Sequence, residues 1–284
     1  MTAIERLRIG SEWREGQSRF GSVNPFTQDV WAEIPEATAQ DVDDAIAAAR
    51  EAFDHGPWPS LTVEQRAEHL NVLADLVDEN AEELARLESQ DNGKGLREII
   101  GQIRAIPDWY RQFGQMATLR DGRVVNTKKP NFLGLVTEEP VGVVAAILPW
   151  NSPLFLLAFK LAPALAVGCT FIAKPSEVAS TSILRFASLV EQAGIPDGVF
   201  NTLAGENPDV GARLVSSRQV DKVSFTGSEK VGALVAQSAG SHLADVALDA
   251  EHPADLGVLR IHHVGDVLGA EPDLLGLDHA EEDP

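Results

Sequence analysis

The chain has 284 residues, 44% of them hydrophobic, with one cysteine and a formal net charge of -20. That composition suits a soluble globular protein with one large core or two modest ones, and the acidic charge argues against nucleic acid or an anionic membrane as partner, because phosphate would be repelled. A single thiol excludes an internal disulfide and a cysteine-based zinc site; with no apolar leader, and no apolar run that spans a bilayer without a break such as Lys160, Pro163 or Gly168, a cytoplasmic protein is the default.

Residues 7–34 alternate apolar and polar groups around Gly10, Gly21, Asn24 and Pro25, a pattern of short antiparallel strands and turns. Thr38 caps a helix to Phe53, with Asp41 three residues on and an apolar stripe of Val42, Ala45, Ile46 and Ala49. Thr62 and Gln65 form a capping box for a second helix, whose buried face includes Leu70, Leu73, Ala74 and Val77. Helices over 81–90 and 96–118 follow, separated by the turn Asp91-Asn92-Gly93-Lys94-Gly95, and the second is expected to break near Pro107. Two β-like runs, 123–128 and 132–138, flank Lys129-Pro130-Asn131 and read as an exposed hairpin.

Val141 to Leu148 is an unbroken apolar run rich in β-branched residues, the mark of a strand buried on both faces in a parallel sheet. Pro149 ends it, Asn151 or Ser152 can cap the next helix, and Pro153 suits its first position. That helix is apolar on nearly every side through Val167, with Pro163 inside it. A second buried strand, Thr170 to Ala173, ends in Lys174-Pro175-Ser176-Glu177. Helices over 181–193, 209–216 and 228–238 then alternate with strands over 199–203 and 220–225. This alternation predicts an α/β fold, a doubly wound parallel sheet, with ligands bound at the carboxyl ends of its strands.

Asn151, Lys174 and Glu177 fall at those ends. From the residues alone, Asn151 is either a neutral hydrogen-bond donor for an oxyanion or only an N-cap. Lys174 and Glu177 are either a ligand site or a surface ion pair. Gly227-Ser228-x-x-x-Gly232 opens a helix whose N–H groups can face a pyrophosphate, but such starts are common.

Three elements in order, Pro149-Trp150-Asn151, Lys174-Pro175-Ser176-Glu177 and Phe225-Thr226-Gly227-Ser228 with Gly232, resemble the NAD(P)-dependent aldehyde dehydrogenase superfamily. The likeness runs from about residue 8 to about residue 249. It implies a Rossmann-like dinucleotide-binding domain over 1–249 and oxidation of an aldehyde substrate to a carboxylic acid. In that resemblance Asn151 is the oxyanion donor, while Leu148 and Trp150 line the cofactor cleft. Lys174 and Glu177 lie at the adenosine ribose, where a carboxylate favours NAD over NADP, and Gly227, Ser228 and Gly232 lie at the pyrophosphate. A hairpin arm at about 121–139 would pair with another subunit, giving a homo-oligomer.

The likeness then departs from the family pattern. The family's base is a glutamate opening Glu-Leu-Gly-Gly-Lys; here Val246-Ala247-Leu248 match the strand before it, Asp249 takes the acidic place, and Ala250-Glu251-His252-Pro253 replaces the glycines. Residues 250–284 carry nine acidic residues against Arg260 alone. With His252, His262, His263 and His279 irregularly spaced, they read as a divergent, disordered acidic tail with no metal site. Cys169 opens a buried strand, where a thiol behaves as a small apolar group, and the family's nucleophile lies farther downstream than the matched region. The expectation is a cofactor-binding half without its nucleophile domain, inactive alone. Two alternatives are a non-catalytic NAD-binding or oligomerising module and an unstable gene remnant with exposed apolar surface.

Overall fold

The computed structural model describes residues 3–251 and 261–263. The chain opens with β1 (Ala3–Ile4), β2 (Leu7–Ile9), β3 (Glu12–Arg14), β4 (Ser18–Val23) and β5 (Val30–Glu36). The β2–β3 and β4–β5 pairs are antiparallel as expected, but β1 pairs with β5 in parallel, so the small sheet is mixed. The β2–β3 hairpin docks on the large sheet, where the Arg8 N–H donates to Thr202 Oγ1 at 2.9 Å and the Gly10 N–H to Asn201 Oδ1 at 2.8 Å.

Helices α1 (Ala39–Asp54), α2 (Val63–Glu79), α3 (Ala81–Asn92) and α4 (Leu96–Thr118) come next. The capping boxes at Thr38 with Asp41 and at Thr62 with Gln65 both form. The expected break near Pro107 does not occur: α4 runs unbroken through it. Pro107 costs a backbone hydrogen bond. Burial of Ile99, Ile103, Ile106 and Tyr110 on one face of α4 holds the helix together despite that loss. The arm is shorter in strand than its sequence suggests, with β6 (Arg123–Val125) and β7 (Gly134–Val136) paired over three residues.

The centre of the molecule is β8 (Val143–Ile147), α5 (Pro153–Val167), β9 (Thr170–Lys174), α6 (Thr181–Gln192), β10 (Phe200–Thr202), α7 (Pro208–Ser216), β11 (Lys222–Ser228), α8 (Glu229–Gly240) and β12 (Asp245–Glu251). These strands lie in the order β10-β9-β8-β11-β12, all parallel. A last strand, β13 (Ile261–His263), pairs antiparallel with β12. The sheet therefore extends past residue 249, and His262 and His263 belong to it rather than to a tail. Residues 252–260 and 264–284, with His252 and His279, fall outside the described residues, as does the remainder of the expected acidic tail.

Alternate side chains divide the core between the two faces. Val144, Ala146, Phe171 and Ala173 pack under α2 to α6, and Val143, Ala145, Ile172 and Phe225 pack under α1, α7 and α8. The connections after β8 and β9 thus cross one face and those after β10 and β11 the other. That is a Rossmann-like doubly wound α/β sheet with its switch between β8 and β11. Among the described residues no helix is long and apolar enough to cross a membrane.

Gly142 leads into the central strand at φ +125°, and a Cβ there would fall on the carboxylate of Asp221. Asp221 cannot easily yield, since its Oδ2 accepts from the Val143 N–H at 2.7 Å and from Arg50. Gly142→Ala is expected to destabilise the fold by about 2–4 kcal/mol. Urea unfolding reads this as a lower midpoint at unchanged slope; an unchanged midpoint would contradict it.

Candidate functional site

In an open parallel sheet the crevice lies outside the carboxyl ends of the strands flanking the switch, where neighbouring connections leave in opposite directions. Here that crevice is a cavity of about 650 Å³ between the ends of β8, β9 and β11 and the flanks of α7 and α8. Six residues expected at a cofactor line it: Leu148, Trp150, Lys174, Glu177, Gly227 and Ser228. Glu206 and Val231, which the motifs did not point to, join them.

The Leu148 N–H donates to the Lys174 carbonyl at 3.0 Å, tying the two strand ends together. The Lys174 side chain is buried; burial lowers its pKa, and Glu177 pulls it back up. Its ammonium stands 4.0 Å from Glu177 Oε2, whose carboxylate is half exposed at the rim. Trp150, 53% exposed, is the largest side chain on the wall.

Ser228 caps α8, its hydroxyl accepting from the Val231 N–H at 3.4 Å. The other first-turn amides of this helix have no partner within it, so they and the dipole present positive charge at the crevice. Gly227 is needed for packing, because a Cβ there would meet the Phe225 ring at 2.7 Å. Gly232 is buried one turn along α8, with its open side against Phe225.

Asn151 is half buried in the bend between β8 and α5, and Ser152 rather than Asn151 is the N-cap of that helix. Asp249 lies near the end of β12, where its Oδ2 accepts from Thr226 Oγ1 at 3.3 Å. It faces a second cavity of about 590 Å³ on the α5 side of the sheet. Lys160 lines that cavity too and donates to Ser224 Oγ at 3.0 Å. Burial lowers the Lys160 pKa, and Asp249 opposes the shift. Lys160 was legible only as the lone charge in an apolar helix.

Cys169 is 2% exposed and sits at the amino end of β9, beside the start of β8. Roughly 13 Å of strand separates it from the edge that carries Asn151. Burial raises its pKa, the opposite of what a nucleophile needs.

The aldehyde dehydrogenase family model matches residues 13–259. The chain belongs to the aldehyde dehydrogenase family. The match ends ten residues beyond the point where the motifs fade, within the stretch that reads as divergent. The chain is 41% identical over 244 residues to (Z)-2-((N-methylformamido)methylene)-5-hydroxybutyrolactone dehydrogenase of Acinetobacter baylyi, covering 86% of this chain and 50% of the relative. It is 44% identical over 234 residues to aldehyde dehydrogenase family 2 member C4 of Arabidopsis thaliana, covering 81% and 46%. Betaine aldehyde dehydrogenase from Staphylococcus aureus, solved in complex with NAD+, superposes with a TM-score of 0.84 at 35% identity, over 87% of this chain and 49% of that one. The chain thus spans about half the length of the curated relatives it matches.

Two buried carboxylates escaped the sequence reading. Glu88 and Asp91, on the inner face of α3, accept from the amides that begin α5 and α6: Leu154 N–H to Glu88 at 3.3 Å and Thr181 N–H to Asp91 at 2.9 Å. Burial pushes Glu88 up to about 7 and Asp91 to about 6, although these hydrogen bonds act the other way. Raised values mean that the folded chain holds these protons longer than the unfolded one. The stability that protonation contributes is complete below the ordinary values of 4.5 and 3.8 and is lost as pH rises through about 6 and about 7. The thermal midpoint is therefore expected to fall between about pH 4 and about pH 7, and less steeply in Glu88→Gln; equal slopes in the two proteins would contradict this.

Proposed function

We propose that the crevice binds NAD and that the chain serves the NAD-dependent oxidation of an aldehyde to a carboxylic acid. The observation that carries this reading is the convergence of Leu148, Trp150, Lys174, Glu177, Gly227 and Ser228 on one cavity at the switch of the sheet. Its volume of about 650 Å³ falls in the range of cofactor clefts, and its walls combine apolar side chains with a few polar groups. Bound there, NAD supplies the oxidant for the aldehyde carbon.

Each residue has a distinct part in this reading. The start of α8 with Ser228 offers N–H donors and dipole to the pyrophosphate. Glu177 accepts the ribose hydroxyls, and together with Glu206 it would repel the extra phosphate of NADP. Asn151 holds an amide donor for the oxyanion that forms when the aldehyde carbonyl is attacked, an interaction typically worth ~2.7–4 kcal/mol. Asp249 takes the position of the base that activates water. Gly232 contributes through packing beneath the helix start.

Attack on the carbonyl needs a thiolate, and the one cysteine is buried at the far edge of the sheet. We infer that the purified chain binds NAD but does not turn over aldehyde. A second, non-catalytic role draws support from the arm, where Val124, Leu133 and Leu135 are 70%, 73% and 63% exposed. Such a strip suits pairing with another copy of the chain, and a purely monomeric species in light scattering would contradict that.

Calorimetry with NAD tests the main reading. Binding is expected, weakened at least severalfold by Glu177→Ala and by Ser228→Ala, with no aldehyde-dependent NADH formation. Absence of binding would overturn the cofactor reading. Turnover that disappears in Cys169→Ala would overturn the reading of the thiol.

A further inference from the structure

The turn between α3 and α4 lies outside the crevice, yet its residues reach toward the loop that carries Trp150 and Asn151. Asn92 Nδ2 donates to the Trp150 carbonyl at 3.2 Å and to the Asn151 carbonyl at 3.5 Å. The same side chain's Oδ1 accepts from the Lys94 N–H at 3.0 Å, which fixes the orientation of the amide and aims its donor end at the loop. Lys94 Nζ donates to Ser152 Oγ at 3.1 Å and to Gln102 Oε1 at 3.3 Å. Glu88, one turn earlier, accepts from the Leu154 N–H.

The turn is built to hold this shape. Gly93 ends α3 at φ +74°, and a Cβ there would sit 2.6 Å from Pro25 Cγ. Asp91 anchors it from the other side, accepting from Ser22 Oγ at 2.5 Å and from Thr181.

Within the loop the Ser152 hydroxyl donates to the Asn151 carbonyl at 2.8 Å, and the α3–α4 turn adds bonds from outside it. Pro149 and Pro153 bracket it, and neither has an N–H to donate. Ser152 is the N-cap of α5 at φ -155°, ψ 65°, but makes no side-chain capping bond. Its hydroxyl is engaged by Lys94 instead, and Glu88 serves one of the α5 amides in its place.

We propose that Asn92 is the positioning residue of the Trp150–Asn151 segment, its amide fixing two successive carbonyls so that the Trp150 ring faces the crevice and the Asn151 side chain keeps its place at the start of α5. The role of that segment in holding a nucleotide rests on the function proposed above; the restraint itself does not. Asn92 touches neither cofactor nor substrate and acts only through the loop.

The test uses the full chain labelled with 5-fluorotryptophan. Its five tryptophans, Trp13, Trp31, Trp58, Trp109 and Trp150, give five fluorine resonances, with that of Trp150 assigned from Trp150→Phe. Two variants remove the donor: Asn92→Ala, and Asn92→Asp, which keeps the shape. Asn92 is half buried rather than core, and the four other resonances report whether each variant is folded. In both variants, without nucleotide, the Trp150 resonance is expected to move by more than its linewidth while the other four stay. The NAD dissociation constant is expected to rise roughly fivefold, the equilibrium equivalent of one neutral hydrogen bond. A Trp150 resonance that stays put in both variants, or five resonances that move together, overturns the proposal. If the parent chain fails to bind NAD, the cofactor reading falls, and the fluorine spectra still decide the restraint.

Discussion

Everything in the candidate site depends on the parting of two neighbouring strands. β8 and β11 lie side by side and parallel, but the chain leaving β8 turns into α5 on one face, and the chain leaving β11 turns into α8 on the other. Parallel strands require crossover connections, and the handedness of those crossovers sends the two halves of the sheet to opposite faces. A gap must open where they diverge. Its lining comes from residues at and just past the strand ends, so Leu148, Trp150, Lys174, Glu177, Gly227 and Ser228 meet although they span 81 positions of the chain, from 148 to 228.

A second constraint keeps the gap in shape. The helix after β8 is held at both ends by side chains from other elements. Glu88 accepts from its first turn, and Arg66 donates to the Ala166 carbonyl at 2.9 Å near its last. Arg66 is itself buried, and its other bonds go to backbone carbonyls, including that of Leu61 at 2.6 Å. Buried charges on helix ends are costly unless every such bond is made. At the first turn Glu88 supplies the acceptor that the N-cap Ser152 does not, and at the last turn Arg66 adds to the left-handed cap made by Gly168.

Much of this was legible in the chain. The period of Val42, Ala45, Ile46 and Ala49, the two capping boxes and the apolar run into Pro149 each specify one local outcome, and each forms. The strand-then-helix alternation was enough to predict a parallel sheet and the edge where the crevice lies. The features that were not legible depend on contacts distant in sequence. Pro107 reads as a helix breaker because the packing of Ile103 and Tyr110 that overrides it is invisible locally. Glu88 reads as an ordinary polar residue of a helix, and Asp91 and Asn92 as turn residues, until α5 and α6 are placed against them. Lys160 is similar: its partners Ser224 and Asp249 come from strands more than sixty residues away.

Hydrogen–deuterium exchange with and without NAD tests the central claim most directly. If the nucleotide occupies the switch between β8 and β11, protection is expected in three separate stretches, 148–152, 174–177 and 226–231, and nowhere else to the same degree. Protection confined to the second cavity around Lys160, or spread evenly over the chain, would contradict the account.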